Sequence, residues 1–184
     1  DERIATLERR VDALASELAT LAGQISRARH EASGRFSRLV LSELAALAMP
    51  HARLNFDVTN AELGPSGADR VELTFAANPG SELRSLGRVA SGGELSRVRL
   101  ALEVVLAAGD EAVTLVFDEV DAGVGGKVAV EVGRRLARLA QHTQVVVVTH
   151  LAQVAAFADR HYVVVKADDG QVTTSGVVQV ADED

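Results

Sequence analysis

The amino-acid sequence predicts an α/β fold in which a coiled-coil helix precedes a parallel βαβ core and a set of antiparallel strands. Three patterns support this prediction. Residues 4–25 carry apolar side chains at alternating spacings of three and four, which is typical of a coiled coil. Residues 113–150 read as strand, helix and strand, and residues 53–75 and 161–180 alternate apolar and polar side chains.

The composition is that of an ordinary globular chain. Its 184 residues are 47% hydrophobic and contain no cysteine, which excludes disulfides and thiolate metal sites and fits a reducing cytoplasm best. The longest apolar runs are far shorter than the roughly 20 residues of a membrane span. A net charge of −7 gives no general attraction to nucleic acid. Four arginines nevertheless form a local basic cluster: Arg27, Arg29, Arg35 and Arg38.

The first element is a helix that begins within the heptad pattern at Asp1, without a methionine, so we expect a piece of a longer protein. Its apolar seam consists of Ile4, Leu7, Val11, Leu14, Leu18, Leu21 and Ile25. The seam implies a partner helix, and the alternative is an amphipathic helix that packs on its own domain. Beyond Gly34 the apolar positions broaden, which indicates docking on a globular body until Pro50 ends the helix. These positions are Phe36, Leu39, Val40, Leu44 and Leu47.

The strands come next. Residues 53–59 and 69–75 are predicted to form an antiparallel pair with one buried face, because a Gly-Pro-Ser-Gly turn at 64–67 lies between them. Residues 113–121 and 143–150 contain continuous apolar runs, which predict two parallel strands buried on both faces. The helix between these strands should turn Val128, Val132, Leu136 and Leu139 inward.

The chain should end in a short helix and a hairpin. Residues 151–158 are predicted to form the helix. Residues 161–180 should then form a hairpin that turns at Asp169 and Gly170.

Two adjacent glycines stand at the start of another predicted helix, residues 94–108. Ser91 and Glu94 have the spacing of a capping box, ahead of Leu95, Val98, Leu102 and Val105 on one face. Free N–H groups and the helix dipole favour an anion at such an end, and Gly92 and Gly93 would let an oxygen-rich ligand approach the backbone. A capped helix start without a ligand is the alternative.

Acidic residues and a histidine follow the two buried strands. Asp118 and Glu119 stand at the carboxyl end of the first strand, where open α/β sheets bind ligands. One acid could hold a hydrated magnesium ion while the other orients or deprotonates water. Asp121 lies in a glycine-rich loop, and His150 ends the second strand. The alternatives are solvated loop acids, a plain turn and a neutral core histidine.

Together these motifs resemble the second half of an ATP-binding-cassette (ABC) ATPase head. "SGGEL" is similar to the signature motif of that family, "TLVFDE" to its Walker B strand, "VDAG" to its D-loop and "VVVVTH" to its H-loop, in the family's order. The wider strings "ANPG", "VASGGELSR", "FDEVDAGVGG" and "THLAQVAAFAD", with the preceding coil, resemble the carboxyl-terminal part of the RecN family. RecN proteins are SMC-like proteins of bacterial double-strand-break repair.

The resemblance implies a division of the chain and of its site. Residues 1–33 would be the returning arm of a coiled coil, and residues 34–184 the carboxyl-terminal lobe of the head. No G-x-x-x-x-G-K-[ST] motif occurs, so the Walker A loop would belong to an amino-terminal half, and this chain alone should be inactive.

The resemblance also implies a role for each motif residue. Asp118 would serve Mg²⁺, and Glu119 and His150 would be catalytic toward the ATP of their own head. Asp121 would lie at the dimer seam. The signature residues, which would contact the ATP of the opposite head, are Ser91, Gly92, Gly93 and Glu94.

The resemblance implies an ATPase that dimerises around ATP and holds or bridges DNA in repair and recombination after DNA damage. Its partners would be the amino-terminal half of the head, a second head, a coiled-coil partner helix and DNA, but no membrane. The location would be cytoplasmic and nucleoid-associated. Two alternatives are another ABC-type ATPase, such as a different SMC-like repair protein or a transporter subunit, and a noncatalytic coiled-coil dimerisation module.

Overall fold

A computed structural model describes residues 2–88, 92–106, 114–168 and 173–180. The described elements, in chain order, are α1 Glu2–Ala46, β1 Arg53–Gly64, β2 Gly67–Ala76, β3 Arg84–Ser85, a 3-10 turn Leu86–Arg88, α2 Gly92–Leu106, β4 Thr114–Phe117, α3 Gly126–Ala140, β5 Gln144–Val147, α4 Ala152–Ala155, β6 His161–Asp168 and β7 Thr173–Val180. None of the described helices combines the length and the apolar character that crossing a membrane requires.

Helix α1 has an exposed half and a packed half. The seven seam side chains are each between 39% and 63% exposed, whereas Val40, Leu44 and Leu47 are fully buried. The predicted docking beyond Gly34 is therefore confirmed, except at Leu39, which is 51% exposed. Leu39 lies about 100° around the helix from Val40 and so falls beside the buried stripe.

The end of α1 differs from the prediction. The helix stops at Ala46, before Pro50. Ala48 adopts a left-handed φ of 63°, and the N–H of Met49 donates to the carbonyl of Leu44 at 2.9 Å. A left-handed residue with such a backward bond is a common way for a helix to end, so the proline is not what stops it.

The predicted antiparallel pairing is confirmed and extends further than the prediction. The predicted buried face is covered at Leu54 and Phe75 but not at Val71, which is 46% exposed. Strands β1 and β2 pair from Arg53↔Ala76 to Asn60↔Asp69, and β3, which the sequence did not indicate, adds to the other edge of β2. The turn of this hairpin is fastened to α1. Arg29 forms an ion pair with the nearly buried carboxylate of Asp69 at 3.2 Å and donates to the carbonyl of Ser66 at 2.7 Å.

The predicted βαβ unit is also confirmed. Strands β4 and β5 are parallel, in register from Thr114↔Gln144 to Phe117↔Val147, and α3 connects them. The prediction that both faces are buried is wrong, because Val116 and Val148 are 54% and 58% exposed. The core of the described chain contains Leu115 and Phe117 and lies on one face of this sheet.

The helices that cover this sheet match the predictions in part. In α3, Val132, Leu136 and Leu139 are buried, and Val128 is only partly buried. Helix α2 begins two residues earlier than predicted. Its predicted inner face is right at Val98 but wrong at Leu95, which is 39% exposed. The buried positions of α2 are Gly93, Arg97, Val98, Leu100 and Ala101.

An ion-pair network joins α1 to α3. Arg135 of α3 lies 2.6 Å from Glu43 of α1 and 2.6 Å from Glu131, and Arg138 lies 3.2 Å from Glu43. Burial alone would lower the pKa of Arg135, but the hydrogen bonds to Glu131 and Glu43 raise it. The network therefore holds the packed half of α1 against the helix that follows the acidic residues.

The predicted helix at 151–158 is shorter than expected, since α4 covers only Ala152–Ala155. The predicted antiparallel pairing within residues 161–180 is confirmed in strands β6 and β7. The predicted turn residues of that hairpin, Asp169 and Gly170, lie outside the described residues. Valines on both faces of the hairpin are about half exposed or more, among them Val163 at 48% and Val164 at 63%.

Candidate functional site

Most of the predicted site residues meet at one edge of the β4–β5 sheet. Because the two strands are parallel, their carboxyl ends lie at the same edge. Asp118 and Glu119 follow β4 directly, His150 follows β5, and the first turn of α2 lies beside them. Ser91, the predicted helix cap, is outside the described residues.

The two glycines lie against the loop that follows β4. A Cβ on Gly93 would lie 2.8 Å from the Cβ of Ala122 and 3.1 Å from its carbonyl oxygen. A Cβ on Gly92 would collide with the carboxylate of Glu119. Gly92 is exposed and Gly93 is buried. Glycine is therefore required at position 93 for the close approach of the chain's own loop, whereas at position 92 the exposed Glu119 side chain could move aside. The anion site stays a prediction.

The loop of residues 118–122, hereafter the acidic loop, presents two carboxylates. Asp118 and Glu119 are both exposed, and Glu119 adopts a left-handed φ of 56°. This conformation costs a non-glycine residue about 1–3 kcal/mol and tends to occur at functional sites. The N–H of Ala122 donates to the carbonyl of Glu119 at 3.0 Å and closes a turn.

A magnesium site built only from protein side chains is not present among the described residues, because no three carboxylates or imidazoles cluster there. Mg²⁺ at phosphoryl-transfer sites usually takes one or two protein carboxylates, with phosphate oxygens and water as its other ligands. The exposed carboxylate of Asp118 would supply one such protein ligand and fits that mode of binding.

Asp121 is the buried residue of the acidic loop, and its place at a dimer seam stays a prediction. It is 2% exposed, and its carboxylate accepts hydrogen bonds from the hydroxyl of Thr149 and from the N–H of His150 at 3.3 Å. The Nδ1 atom of His150 lies 3.5 Å from the same oxygen, while the imidazole is 73% exposed. Asp121 therefore connects the acidic loop to the end of β5 and orients His150.

Sequence reasoning missed Ser96, Arg97 and Thr149. The Ser96 hydroxyl donates to the carbonyl of Asp118 at 2.7 Å, and Arg97 Nη1 donates to the carbonyl of Ala122 at 2.8 Å. Burial lowers the pKa of Arg97, and the charge of Glu94 opposes that effect. Arg97 lies four residues after Gly93 on the buried stripe of α2, and this spacing is the signal that could have found it.

Several proteins resemble this chain over most of its length, although no family model matches it. The chain is 58% identical to the DNA repair protein RecN of Streptomyces coelicolor over 179 residues, which is 90% of this chain and 31% of that protein. It is 46% identical over 186 residues to the DNA repair protein RecN of Deinococcus radiodurans, covering 100% of this chain and 33% of the relative. The resemblance to the carboxyl-terminal part of RecN is confirmed. The chain spans about a third of the length of these RecN relatives.

Solved structures support the fold. The Smc head domain with a coiled coil and joint from Pyrococcus yayanosii matches with a TM-score of 0.57 at 22% identity, over 79% of this chain and 26% of that chain. The Smc head domain with an extended coiled coil from Pyrococcus furiosus, bound to the C-terminal domain of ScpA, matches with a TM-score of 0.51 at 19% identity, over 78% of this chain and 34% of that chain. The RecN-like chain therefore has an SMC-head type of α/β fold, as the motifs predicted.

Proposed function

We propose that this chain forms the carboxyl-terminal lobe of an SMC-like ATPase head that dimerises around ATP and acts in DNA double-strand-break repair and recombination. The observation that carries the proposal is the meeting of Asp118, Glu119, His150 and the start of α2 at one sheet edge. This arrangement occurs in a chain that is 58% identical to a DNA repair protein RecN.

The arrangement suits phosphoryl transfer, which depends mainly on positioned charge and an oriented water. Glu119 would orient and deprotonate the attacking water, since its carboxylate is exposed and held on a constrained loop. Asp118 would contribute a carboxylate to Mg²⁺, which when bound neutralises charge on the phosphates. His150, oriented by Asp121, would donate a hydrogen bond to a phosphate of the same nucleotide. Ser91, Gly92, Gly93 and Glu94 would face the nucleotide of the opposing head.

A second lobe would cover two apolar surfaces. One is the outer face of the β4–β5 sheet, where Val116, Val146 and Val148 are each at least 45% exposed. The other is the β6–β7 hairpin, since a hairpin with valines exposed on both faces is marginally stable by itself. An amino-terminal lobe bearing the Walker A loop would fit both surfaces, because exposed apolar patches usually mark protein interfaces.

The exposed apolar seam of α1 supports the view that this helix belongs to a coiled-coil arm. We propose that residues 1–33 pair with another helix of a coiled coil, and that residues 34–184 belong to the head. Helix α1 runs without a break through residue 34, so movement of the arm and of the head would be mechanically linked. DNA would then be held by the paired heads and arms of the complete protein, in the cytoplasm at the nucleoid.

The test compares this chain with an assembled head, defined as this chain together with an amino-terminal RecN-type segment that carries a Walker A loop. The assembled head should bind and hydrolyse ATP, and DNA should be retained when the heads close. The chain alone should bind ATP weakly and hydrolyse it negligibly, because the Walker A backbone and lysine normally hold the β- and γ-phosphates. The proposal would be contradicted if the chain alone and the assembled head hydrolysed ATP at the same rate, or if the assembled head did not hydrolyse ATP.

A further inference from the structure

Two consecutive side chains of α2 hold the two ends of the acidic loop. The Ser96 hydroxyl donates to the carbonyl of Asp118 at 2.7 Å, where the loop begins. Arg97 Nη1 donates to the carbonyl of Ala122 at 2.8 Å, where the loop ends. Glu119 lies between these two bonds, and its own carbonyl accepts the N–H of Ala122 at 3.0 Å.

Burial of Arg97 at this position is energetically unfavourable. It is 8% exposed, and its Nε is the one buried side-chain nitrogen or oxygen in the described ranges that lacks a hydrogen-bond partner. A buried charge with incomplete partners does not favour stability, and apolar side chains of similar size often stabilise such positions. Stability of the fold therefore does not explain why an arginine occupies this position.

The backbone conformation of Glu119 does explain why an arginine occupies position 97. A left-handed φ of 56° persists only where the surroundings hold it. The Ser96 bond fixes the peptide group that precedes Glu119. The carbonyl that follows Glu119 accepts from the N–H of Ala122, and Arg97 in turn holds Ala122 through its carbonyl. The close contact of Gly93 with Ala122 leaves the loop little space to relax. The direction of the Glu119 carboxylate thus depends on the first two turns of α2.

We propose that Arg97, together with Ser96, is a positioning residue that holds the acidic loop and thereby aims the carboxylate of Glu119. The two residues would also make the start of α2 and the acidic loop move as one unit, so that a ligand at α2 would reposition Glu119. The catalytic part of this inference rests on the proposed ATPase function. The positional part rests on the geometry alone.

The experiment uses the assembled head with Arg97→Met, Arg97→Lys and Ser96→Ala. The matched control is Arg99→Met, which removes an arginine two residues away whose side chain is 56% exposed. Arg97→Met should lower kcat about tenfold or more, as expected for a misplaced catalytic group, with little change in the KM for ATP. The lost bond to the Ala122 carbonyl costs about 1 kcal/mol, and removal of an incompletely paired buried charge offsets it, so the Tm should stay within about 4 °C of wild type. Arg97→Lys should recover part of kcat, and Ser96→Ala should show a smaller loss. Arg99→Met should keep the wild-type kcat and lose no more than about 2 °C in Tm, since its cation–π contact with the Phe117 ring, 5.9 Å away, contributes about 0.5 kcal/mol at an exposed site.

Hydrogen exchange separates this inference from the proposed function, because it needs no turnover. In Arg97→Met the amide of Ala122 should exchange faster, while the amide of Val148, which donates to the carbonyl of Phe117 at 2.9 Å, should not change. Unchanged exchange at Ala122 would overturn the positional role. Faster exchange with unchanged kcat, in a head where Glu119→Gln abolishes hydrolysis, would overturn the catalytic consequence. If Glu119→Gln itself leaves hydrolysis unchanged, the proposed function fails instead. A parallel loss of kcat and Tm would mean that Arg97 is merely structural.

Discussion

Gly93→Ala tests the packing between α2 and the acidic loop. The new Cβ would lie 2.8 Å from the Cβ of Ala122, whereas ordinary carbon contacts lie at about 3.5–4.0 Å, so the loop would have to retreat by about 0.7 Å. Overpacking of this kind costs about 1–3 kcal/mol. Alanine offsets up to about 1 kcal/mol through its helix propensity. Subtracting this gain leaves a net loss of about 0–2 kcal/mol, and a loss in the middle of that range, about 1 kcal/mol, lowers Tm by roughly 2–4 °C in a chain of this size.

The assay is thermal denaturation of the chain followed by circular dichroism. Gly23→Ala is the control, because Gly23 lies in the middle of α1 and an added Cβ there would meet nothing within 4 Å. It should stabilise the chain by about 0.5–1 kcal/mol. Adding Ala122→Gly to Gly93→Ala should recover part of the loss. If Gly93→Ala gained stability as Gly23→Ala does, the close contact between α2 and the loop would be refuted.

Three further substitutions test other contacts. The hydrogen bond from Arg135 lowers the pKa of Glu131 below its usual 4.5, so its contribution to stability is present above that pH and disappears as pH falls toward the lowered pKa. The denaturant midpoint of Glu131→Gln should consequently depend less on pH below 4.5 than that of wild type, and equal slopes would contradict this. Gly133→Ala would drive a Cβ into the ring of Phe157; overpacking costs about 1–3 kcal/mol and helix propensity offsets up to about 1 kcal/mol of it, so the chain should lose stability in urea. A gain in stability of the size that helix propensity alone gives would refute the contact. Leu14→Lys, at a position 49% exposed, should leave the Tm of the chain unchanged but weaken arm pairing in the complete protein, measured by sedimentation. Unimpaired pairing would refute the proposal that the seam of α1 pairs with another helix.

Patterns that depend on local periodicity were predictable from the sequence. The heptad seam predicted helix α1. The two apolar runs within residues 113–150 predicted the parallel strands β4 and β5 and the helix that connects them. The four ordered motifs also indicated which residues would meet, since the carboxyl ends of parallel strands share an edge. Asp118, Glu119 and His150 were found for this reason.

Features that depend on tertiary packing were not predictable. A run such as residues 144–148 has the same composition whether one face or both faces are covered, so the exposure of Val146 and Val148 could not be read from it. Leu95 and Leu39 fit a helical stripe by spacing, but the neighbouring elements cover an adjacent stripe. Arg97 is charged, and charged residues are rarely buried. Its residue type therefore predicted an exposed side chain and not a buried contact with the acidic loop.

Glu119→Gln in the assembled head tests the central claim most directly, because it keeps the size of the side chain and removes its charge and basicity. Hydrolysis should fall by about 10² or more while ATP binding survives, and light scattering should show closed dimers accumulating with ATP. Asp118→Asn is the matched comparison, since a weakened magnesium shell should impair productive nucleotide binding and accumulate no dimers. Wild-type turnover in Glu119→Gln, with no ATP-dependent change in its dimer fraction, would contradict the account.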